Sequence, residues 1–277
     1  MSTAIIIPAY NVSTKIDQLL FALLPHRQHT IFIDDGSTDD TFEKISNMDF
    51  FVLRSTDNCG IADAIFKGLT YAEGAGYSKA VLMDSDGQHS PKHLIEFISY
   101  LNDYDFVFGN RFHKSAFSPS TKLNANIFAA TVVNEIFNTK FTDIACGYKA
   151  FRITKRIIEA VRKSNGYELV FELFLLALIQ KRTIKFIDIE AIYPLDEFLG
   201  TRPTEILAFI NVLGRYFSDY GEVREKLLSI KESIDKCNDF ICISGGMQFY
   251  AYFLKEKNAY IFQADPKSIH LYLRDEM

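Results

Sequence analysis

Three oxygen-bearing side chains follow one short apolar run, and their spacing suits a divalent cation. The run at 79–83 ends directly before Asp84, and Asp86 and Gln88 follow at alternate positions. Two carboxylates and an amide oxygen are the hard ligands that Mg²⁺ and Mn²⁺ prefer, and these ions keep positions open for phosphate oxygens. The alternative is a solvated acidic turn that caps the helix predicted to begin at Pro91. The cation site is therefore a hypothesis that depends on where the run ends in the fold.

A second acidic pair, Asp34 and Asp35, follows the apolar run at 30–33. Gly36 allows a sharp exit from that run, and the polar residues at 37–40 are good N-caps for a following helix. The pair itself precedes the turn, where a carboxylate can accept hydrogen bonds from a base N–H or from ribose hydroxyls. Acidic pairs after two separate runs favour the cation hypothesis over an ordinary capping turn.

The elements that must position these residues are short apolar runs alternating with helical patterns. Strands are predicted at 4–7, 30–33, 50–53, 79–83, 105–108 and 184–192, because near-continuous apolar character is typical of strands buried on both faces. Amphipathic helices are predicted at 14–24, 40–47, 61–73, 91–101, 122–138 and 154–181, the last with a break at 164–166. This alternation predicts an α/β fold with a Rossmann-like, mostly parallel central sheet flanked by helices.

In such sheets, ligands bind beyond the carboxyl ends of the strands. The polar segments that follow the predicted strands are 8–11, 34–37, 84–88 and 109–111. We therefore expect them to gather at one edge of the sheet.

The pattern changes near residue 203, so three parts are predicted: a main domain at 1–203, a helical segment at 204–236 and a small appendage at 237–277. The helical segment divides into helices at 204–217 and 222–236. The appendage is predicted as a β-α-β-α unit with a helix at 247–257. The apolar face of 204–217 favours docking on the domain or on a homodimer partner over membrane anchoring.

Charge, cysteines and hydropathy exclude several classes of protein. A net charge of −5, a pI near 5.7 and the lack of basic runs argue against binding of nucleic acid. The four cysteines form no CxxC pair, which argues against a zinc site or a disulfide framework. The first residues do not have the pattern of a signal peptide, and no transmembrane segment is expected. A cytoplasmic protein is the expectation.

Taken in order, the motifs resemble those of family 2 glycosyltransferases, especially the polyprenyl-phosphate mannosyl/glucosyltransferase branch. The resemblance covers about residues 3–205 and rests on Ile6–Asn11, Ile33–Asp39, Asn58-x-Gly60, Met83–His89, Gly109–Arg111, Asp143–Phe151 and Phe171–Leu173. It implies a GT-A fold, a nucleoside-diphosphate sugar donor, Mg²⁺ or Mn²⁺ as cofactor, and transfer with inversion. The acceptor would be a polyprenyl phosphate or a saccharide hydroxyl in cell-envelope or surface glycan synthesis, reached from the cytoplasm or peripherally at the inner face of the plasma membrane.

The resemblance also implies roles for individual residues. Those placed around the donor are Pro8, Tyr10, Asp34, Asp35, Asn58, Asp84 and Ser85, and those facing the metal are Asp84, Asp86 and Gln88. Arg111 would supply positive charge to a phosphate; the alternative is an exposed loop arginine. Asp143 would be the general base, with a capping role in the turn before Gly147 as its alternative.

The chain departs from the branch at two points. A basic residue is common in the branch after the strand ending at Tyr193, whereas 194–201 has none, so Arg202 or Lys149 would have to compensate. Many relatives also carry carboxyl-terminal membrane helices, which 204–277 does not resemble.

Other classes of protein remain open from the sequence. A signalling receiver domain would need a lysine where Gly109-Asn110-Arg111 stands, and a nucleotidyltransferase would have a glycine-rich loop where Pro8-Ala9-Tyr10 stands. A non-catalytic sugar-nucleotide-binding protein is a further alternative.

Overall fold

The structure is a computed structural model that describes residues 2–111, 126, 129–130, 132–134, 137–190, 203–216, 239–245, 248–255, 258–265 and 268–274. The chain divides into two compact units. The first comprises Met1–Lys114 and Ala145–Tyr193, and the second comprises Ser115–Ile144 and Pro194–Met277. Of the predicted site residues, only Asp143 belongs to the second unit.

The first unit is built on a seven-stranded sheet. Its strands are β1 (Thr3–Ala9), β2 (Thr30–Asp34), β3 (Phe51–Arg54), β4 (Lys79–Leu82), β5 (Phe106–Asn110), β6 (Lys149–Arg152) and β7 (Ile184–Asp188). They lie in the order β3-β2-β1-β4-β6-β5-β7. Only β6 runs against its neighbours in this sheet. The predicted mostly parallel α/β sheet is confirmed, and β1 is buried along nearly its whole length between β2 and β4.

The helices of this unit follow the predicted pattern closely. They are α1 (Ile16–Leu23), α2 (Thr41–Asn47), α3 (Ile61–Gly74), α4 (Leu94–Tyr100), α5 (Lys155–Lys163) and α6 (Glu168–Ile179). A short 3₁₀ turn at Pro91–His93 precedes α4, with the proline at its first position as expected. Thr154 caps α5, since its hydroxyl accepts a hydrogen bond from the Ile157 N–H at 3.2 Å. The predicted break at 164–166 separates α5 from α6.

The strand β6 is the element of this sheet that the sequence pattern does not predict. It has only four residues, and Lys149 and Arg152 at its ends read as polar. Lys149 is nevertheless buried, and its Nζ donates a hydrogen bond to the carbonyl of Val170 in α6. The apolar stem and this internal bond allow a lysine to occupy a central strand.

In the second unit, α7 (Pro203–Tyr216) confirms the helix predicted at 204–217. Phe209, Ile210 and Leu213 on its apolar face are buried, and a homodimer through this helix stays a prediction. The described residues between 126 and 137 are helical, in agreement with the prediction for 122–138. The predicted helix at 222–236 lies outside the described residues. Across the described residues, no helix has both the length and the apolar character needed to cross a bilayer.

The appendage differs from the predicted β-α-β-α unit. It is an antiparallel sheet of β8 (Asp239–Gly245), β9 (Gln248–Lys255), β10 (Asn258–Asp265) and β11 (Ser268–Arg274), in sequential order. The predicted helix at 247–257 is therefore wrong, as is the second helix of the predicted unit, because β9 and β11 are strands. The aromatic run in β9 favours a strand, and turn residues recur about every ten positions, as expected for hairpins.

Candidate active site

Two acidic loops meet at the carboxyl end of β1. The hydroxyl of Ser85, in the loop after β4, donates a hydrogen bond to the Pro8 carbonyl at 2.7 Å. The N–H of Asp35, in the loop after β2, donates to the Ala9 carbonyl at 2.9 Å. The two loops therefore lie at one edge of the sheet, on either side of β1. The sequence expectation of a polar edge is confirmed for these segments.

The loop after β4 presents the predicted cation ligands. The Gln88 N–H donates to Oδ1 of Asp86 at 2.9 Å, and Gly87 between them has a φ of +85°, which closes the loop into a tight turn. Asp84, Asp86 and Gln88 are each partly exposed. Carboxylate and amide oxygens at partly exposed positions fit Mg²⁺ or Mn²⁺ in the chemistry of their donor set.

Asp84 is confined on two sides by its neighbours. Its N–H donates to Nδ1 of His89 at 3.1 Å, and His89 is only 4% exposed. On the other side, a Cβ placed on Gly147 would lie 2.5 Å from Oδ2 of Asp84, closer than any ordinary contact. A glycine at position 147 therefore leaves the space that the Asp84 carboxylate occupies.

A stack of aromatic rings packs against His89 and holds it beside Asp84. His89 packs on Tyr148 with centroids 5.2 Å apart, and Tyr148 stacks on Phe97 of α4 at 4.2 Å. Burial raises the pKa of the Tyr148 phenol, and the nearby Cys146 adds to the effect. Tyr148 therefore stays neutral and serves as a packing element. The sequence pattern does not indicate that His89 and Gly147 contact Asp84.

The loop after β2 is closed by its own acidic pair. Asp35 accepts hydrogen bonds from the N–H groups of Cys59 at 3.2 Å and Gly60 at 2.7 Å. Gly36 has a φ of +74°, and a Cβ there would lie 2.6 Å from the Asp57 carbonyl carbon. Gly36 is therefore required both by its conformation and by the close approach of 57–60. This places Asn58, predicted from the motif, beside the acidic turn.

Asp34 lies inside the turn rather than on its surface. Its side chain has no exposed area. Oδ1 accepts a hydrogen bond from the Ser37 N–H at 3.1 Å, and Oδ2 is 3.2 Å from Nε of Arg54. The predicted contact of Asp34 with the nucleoside stays a prediction; in the structure, its carboxylate supports the loop that carries Asp35.

The end of β1 continues into an exposed loop. Asn11, with a φ of +50°, exchanges hydrogen bonds with the β2 turn: its N–H donates to Oγ of Ser37 at 3.0 Å, and its Oδ1 accepts from the Thr38 N–H at 2.9 Å. The neighbouring Tyr10 is 44% exposed. Pro8 and Tyr10 are thus held at the same edge as Asp35, with the tyrosine ring open to solvent.

Arg111 and Asp143 occupy different settings. Arg111 follows β5 and is partly exposed, and its neighbour Asn110 donates from Nδ2 to Asp188 Oδ1 at 2.9 Å. In the second unit, Asp143 is 1% exposed. Its segment is fixed by Asn126, whose amide donates to the Thr142 carbonyl at 2.8 Å and accepts from the Ile144 N–H at 2.9 Å.

The missing basic residue after β7 is not replaced by Lys149, because that side chain is buried and bonded to α6. Arg202 lies outside the described residues.

A second group of potential metal ligands is explained by internal bonds. Ligand atoms of Asp35, Cys59 and Asp63 lie within 4.8 Å of one another. Both oxygens of Asp35 already accept backbone hydrogen bonds, and Asp63 pairs with Lys67 at 2.6 Å. The hydrogen bond that Lys67 donates to Asp63 raises the pKa of Lys67, as expected for a stable ion pair.

Solved structures share the fold of this chain. Glucosyl-3-phosphoglycerate synthase from Mycobacterium tuberculosis matches with a TM-score of 0.59 at 17% identity, over 77% of this chain and 80% of that chain. The same enzyme in complex with Mn²⁺, UDP-glucose and phosphoglyceric acid matches with a TM-score of 0.57 at 17% identity, over the same shares of both chains. The seven-stranded sheet with its helices is therefore a GT-A fold.

Curated relatives agree with this fold. The UDP-N-acetylglucosamine–dolichyl-phosphate N-acetylglucosaminyltransferase of Methanococcus voltae is 26% identical over 76% of this chain and 93% of its own length. The polyprenol monophosphomannose synthase of Mycolicibacterium smegmatis is 27% identical over 60% of this chain and 68% of its own length. Residues 4–159 match the family model described as Glycosyl transferase family 2. The chain belongs to glycosyl transferase family 2 and is a glycosyltransferase that uses nucleotide-sugar donors.

Proposed function

We propose that this enzyme is metal-dependent, that it transfers its sugar with inversion, and that its acceptor is a polyprenyl phosphate used in cell-envelope or surface glycan synthesis. The observation that carries the proposal is the attachment of both acidic loops to the last two carbonyls of β1. The attachment brings the cation ligands of one loop and the nucleoside-binding groups of the other to the same edge of the sheet.

The loop after β2 is the nucleoside half of the proposed site. The exposed ring of Tyr10 offers a surface on which a base can stack, and Asp35 and Asn58 border the same turn. Pro8 fixes the direction in which the chain leaves β1. The bonds that close this loop on 57–60 hold these groups in place before the donor arrives, which reduces the cost of ordering them on binding.

The loop after β4 is the diphosphate half. Asp84, Asp86 and Gln88 would hold Mg²⁺ or Mn²⁺, which would neutralise the charge that develops on the departing diphosphate. Ser85 sets the position of this loop through its bond to Pro8. Structural neighbours crystallised with Mn²⁺ or Mg²⁺ and UDP support this use of the fold.

We assign Asp143 as the general base. In a single inverting step, the acceptor oxygen bonds to the anomeric carbon as that carbon's bond to the diphosphate oxygen breaks, and a carboxylate takes any proton that the acceptor oxygen still carries. The Asn126 bracket around Asp143 fits a residue that must be held in one geometry. Arg111 would hold a phosphate of the donor or of the acceptor through paired hydrogen bonds.

Two relatives favour a polyprenyl phosphate over a saccharide hydroxyl. One is a dolichyl-phosphate N-acetylglucosaminyltransferase and the other is a polyprenol monophosphomannose synthase. A chain acting on such a lipid must reach a membrane surface. We therefore place it in the cytoplasm, peripherally associated with the inner face of the plasma membrane.

The metal role is tested with Asp86→Asn. The substitution keeps the size of the side chain but removes the charge that attracts a cation, so UDP or GDP should bind the variant with little dependence on Mn²⁺. Calorimetric titration of wild type and variant, with and without Mn²⁺, measures this directly. Equal enhancement by Mn²⁺ in both proteins would contradict the assignment.

Asp143→Asn tests both the base and the acceptor class. A hydroxyl acceptor must lose its proton during transfer, and loss of a general base costs about 10²–10⁴ in kcat. A phosphate acceptor has a second pKa near 6 and is already largely deprotonated at neutral pH. With polyprenyl phosphate we therefore expect a smaller loss of kcat at neutral pH, which grows as pH falls below about 6 and the acceptor becomes protonated. Donor affinity should stay near that of wild type, and a loss of about 10²–10⁴ at neutral pH would instead indicate a hydroxyl acceptor. Turnover equal to that of wild type across this pH range would assign Asp143 to the turn alone.

A further inference from the structure

Arg54 stands beside the buried carboxylate of the nucleoside half. It is the last residue of β3 and pairs in register with Asp34 of β2. Its Nε lies 3.2 Å from Oδ2 of Asp34. That oxygen has no in-line hydrogen-bond donor within the part of the chain that the structure describes, so the contact is one of charge with charge. A fully buried carboxylate needs such compensation, and Arg54 supplies it.

The same guanidinium reaches the next two parts of the turn. Nη2 donates to the Ser37 carbonyl at 3.4 Å, and the guanidinium carbon lies 4.2 Å from the centre of the Phe42 ring in α2. Nη1 is 4.0 Å from Oε1 of Glu43. Arg54 therefore contacts the last residue of β2, the connecting turn at Ser37 and the first turn of α2.

The turn after β2 also holds the exposed loop after β1. Ser37, held by Asp34 and Arg54, accepts a hydrogen bond from the Asn11 N–H at 3.0 Å. Tyr10 directly precedes Asn11, and Asp35 directly follows Asp34. Every step of this connection is a hydrogen bond, an ion pair or a peptide bond. A change at Arg54 can therefore be transmitted to both predicted nucleoside contacts.

We propose that Arg54 is a positioning residue for the donor nucleoside, acting through Asp34 and Ser37 on Asp35 and Tyr10. This inference rests on the proposed function of the β1–β2 edge as the nucleoside half. It also assigns Asp34 a supporting role as the ion-pair partner of Arg54. That role explains why this acidic residue of the motif is fully buried.

The test compares Arg54→Gln with the double variant Arg54→Gln/Asp34→Asn, using UDP-N-acetylglucosamine and GDP-mannose as donors. The single variant leaves a buried charge without its partner, whereas the double variant removes both charges. We expect Arg54→Gln to raise the donor KM about ten-fold or more with kcat at saturating donor nearly unchanged, the pattern of lost ground-state binding. The double variant should recover most of that loss. No recovery would show that Arg54 touches the donor itself and would overturn the proposal.

Arg152→Ala is the matched control. The Arg152 side chain is 41% exposed, close to the 43% of Arg54. Its Nε lies 3.8 Å from Oδ1 of Asp105, and its Nη2 donates a hydrogen bond to the Leu101 carbonyl. It sits at the opposite edge of the sheet, in register with the first residue of β4. We expect it to lower Tm without changing the donor KM. An equal rise in KM in this control would reduce the Arg54 effect to general destabilisation and overturn the proposal.

Amide hydrogen exchange separates this proposal from the proposed function. Exchange at Ser37 and Thr38 should be faster in Arg54→Gln than in wild type or in Arg152→Ala, with or without donor. If wild type bound neither nucleotide, the function would fail while faster exchange still supported the link from Arg54 to the turn. Unchanged exchange, or an unchanged donor KM in an active enzyme, would refute the positioning role.

Discussion

At the residue scale, Gly147 controls the space available to a proposed metal ligand. The atom that an alanine Cβ would meet, Oδ2 of Asp84 at 2.5 Å, is the end of a side chain that can move. A methyl group at this position would therefore displace the carboxylate rather than unfold the protein.

For Gly147→Ala we expect Mn²⁺-dependent nucleotide binding to fall about ten-fold or more, since displacing a ligand or its support typically costs 10–100-fold in metal affinity. Tm should stay close to that of wild type. Calorimetric titration and a thermal melt measure both effects. Gly74→Ala is the control, because a Cβ there meets nothing within 4 Å; wild-type binding by Gly147→Ala would contradict the steric role.

The sequence identified the acidic residues of the edge but not what supports them. Asp35, Asp86 and Ser85 follow strands, so their location came from the rule that strand ends meet. Arg54 and His89 act through contacts between segments far apart in the chain, and no local pattern encodes those contacts. The burial of Asp34 has the same origin, because its neighbour in space is a residue of β3.

At the element scale, strand direction explains the position of Gly147. Residues at the site usually follow a strand, but Gly147 precedes β6. Because β6 is antiparallel to β4, its amino end lies at the edge where β4 ends. Short, polar-ended β6 was not predictable from periodicity, so this placement was not predictable either. β9 was predicted as a helix but is a strand. The aromatic residues at 249, 250, 252 and 253 fit a helical spacing as well as a strand.

Asp39 connects the loop before α1 to the start of α2. Its Oδ1 accepts from the Thr41 N–H at 3.0 Å and its Oδ2 from the Ser13 N–H at 3.1 Å. Burial raises the pKa of Asp39, but hydrogen bonds from Thr41 and Ser13 outweigh it and hold the pKa at about 2, against an ordinary 3.8. A lowered pKa in the folded state means that the carboxylate stabilises the fold above the ordinary value and loses that contribution as pH falls toward 2.

Asp39→Asn should therefore lower the free energy of unfolding by about 1 kcal/mol at pH 7, discounted for partial exposure. The difference from wild type should shrink between pH 4 and pH 2. Urea titrations across that range provide the measurement. Asp40→Asn is the control, since Asp40 makes no side-chain capping bond at the start of α2. A difference that persists at pH 2 would show that the carboxylate charge is not its source.

At the scale of the whole molecule, the fold class and the family followed from the order of motifs along the chain. The GT-A sheet was predictable because six of its seven strands, all except β6, coincide with distinct apolar runs. The four-stranded sheet at the carboxyl end was not, because the aromatic run of β9 fits a helix as well as a strand.

Donor identity is a property of the whole fold that a thermal-shift panel can measure. A ligand that binds only the folded state adds about 2.7 kcal/mol of stability when its concentration is 100 times Kd. We expect one of UDP, GDP, CDP and dTDP to raise Tm of wild type most in the presence of Mn²⁺, and the increase to be lost in Asp86→Asn. No shift with any of the four would contradict the proposed donor class.

The attachment of both acidic loops to β1 has a consequence for how this enzyme can diverge. The two acceptors are main-chain carbonyls, so substitution of Pro8 or Ala9 changes a side chain but removes neither anchoring oxygen. The spacing between the proposed nucleoside half and the proposed diphosphate half is thus set by main-chain atoms. Substitutions on the β2 side can therefore alter which base the proposed site accepts while the loop after β4 keeps its place.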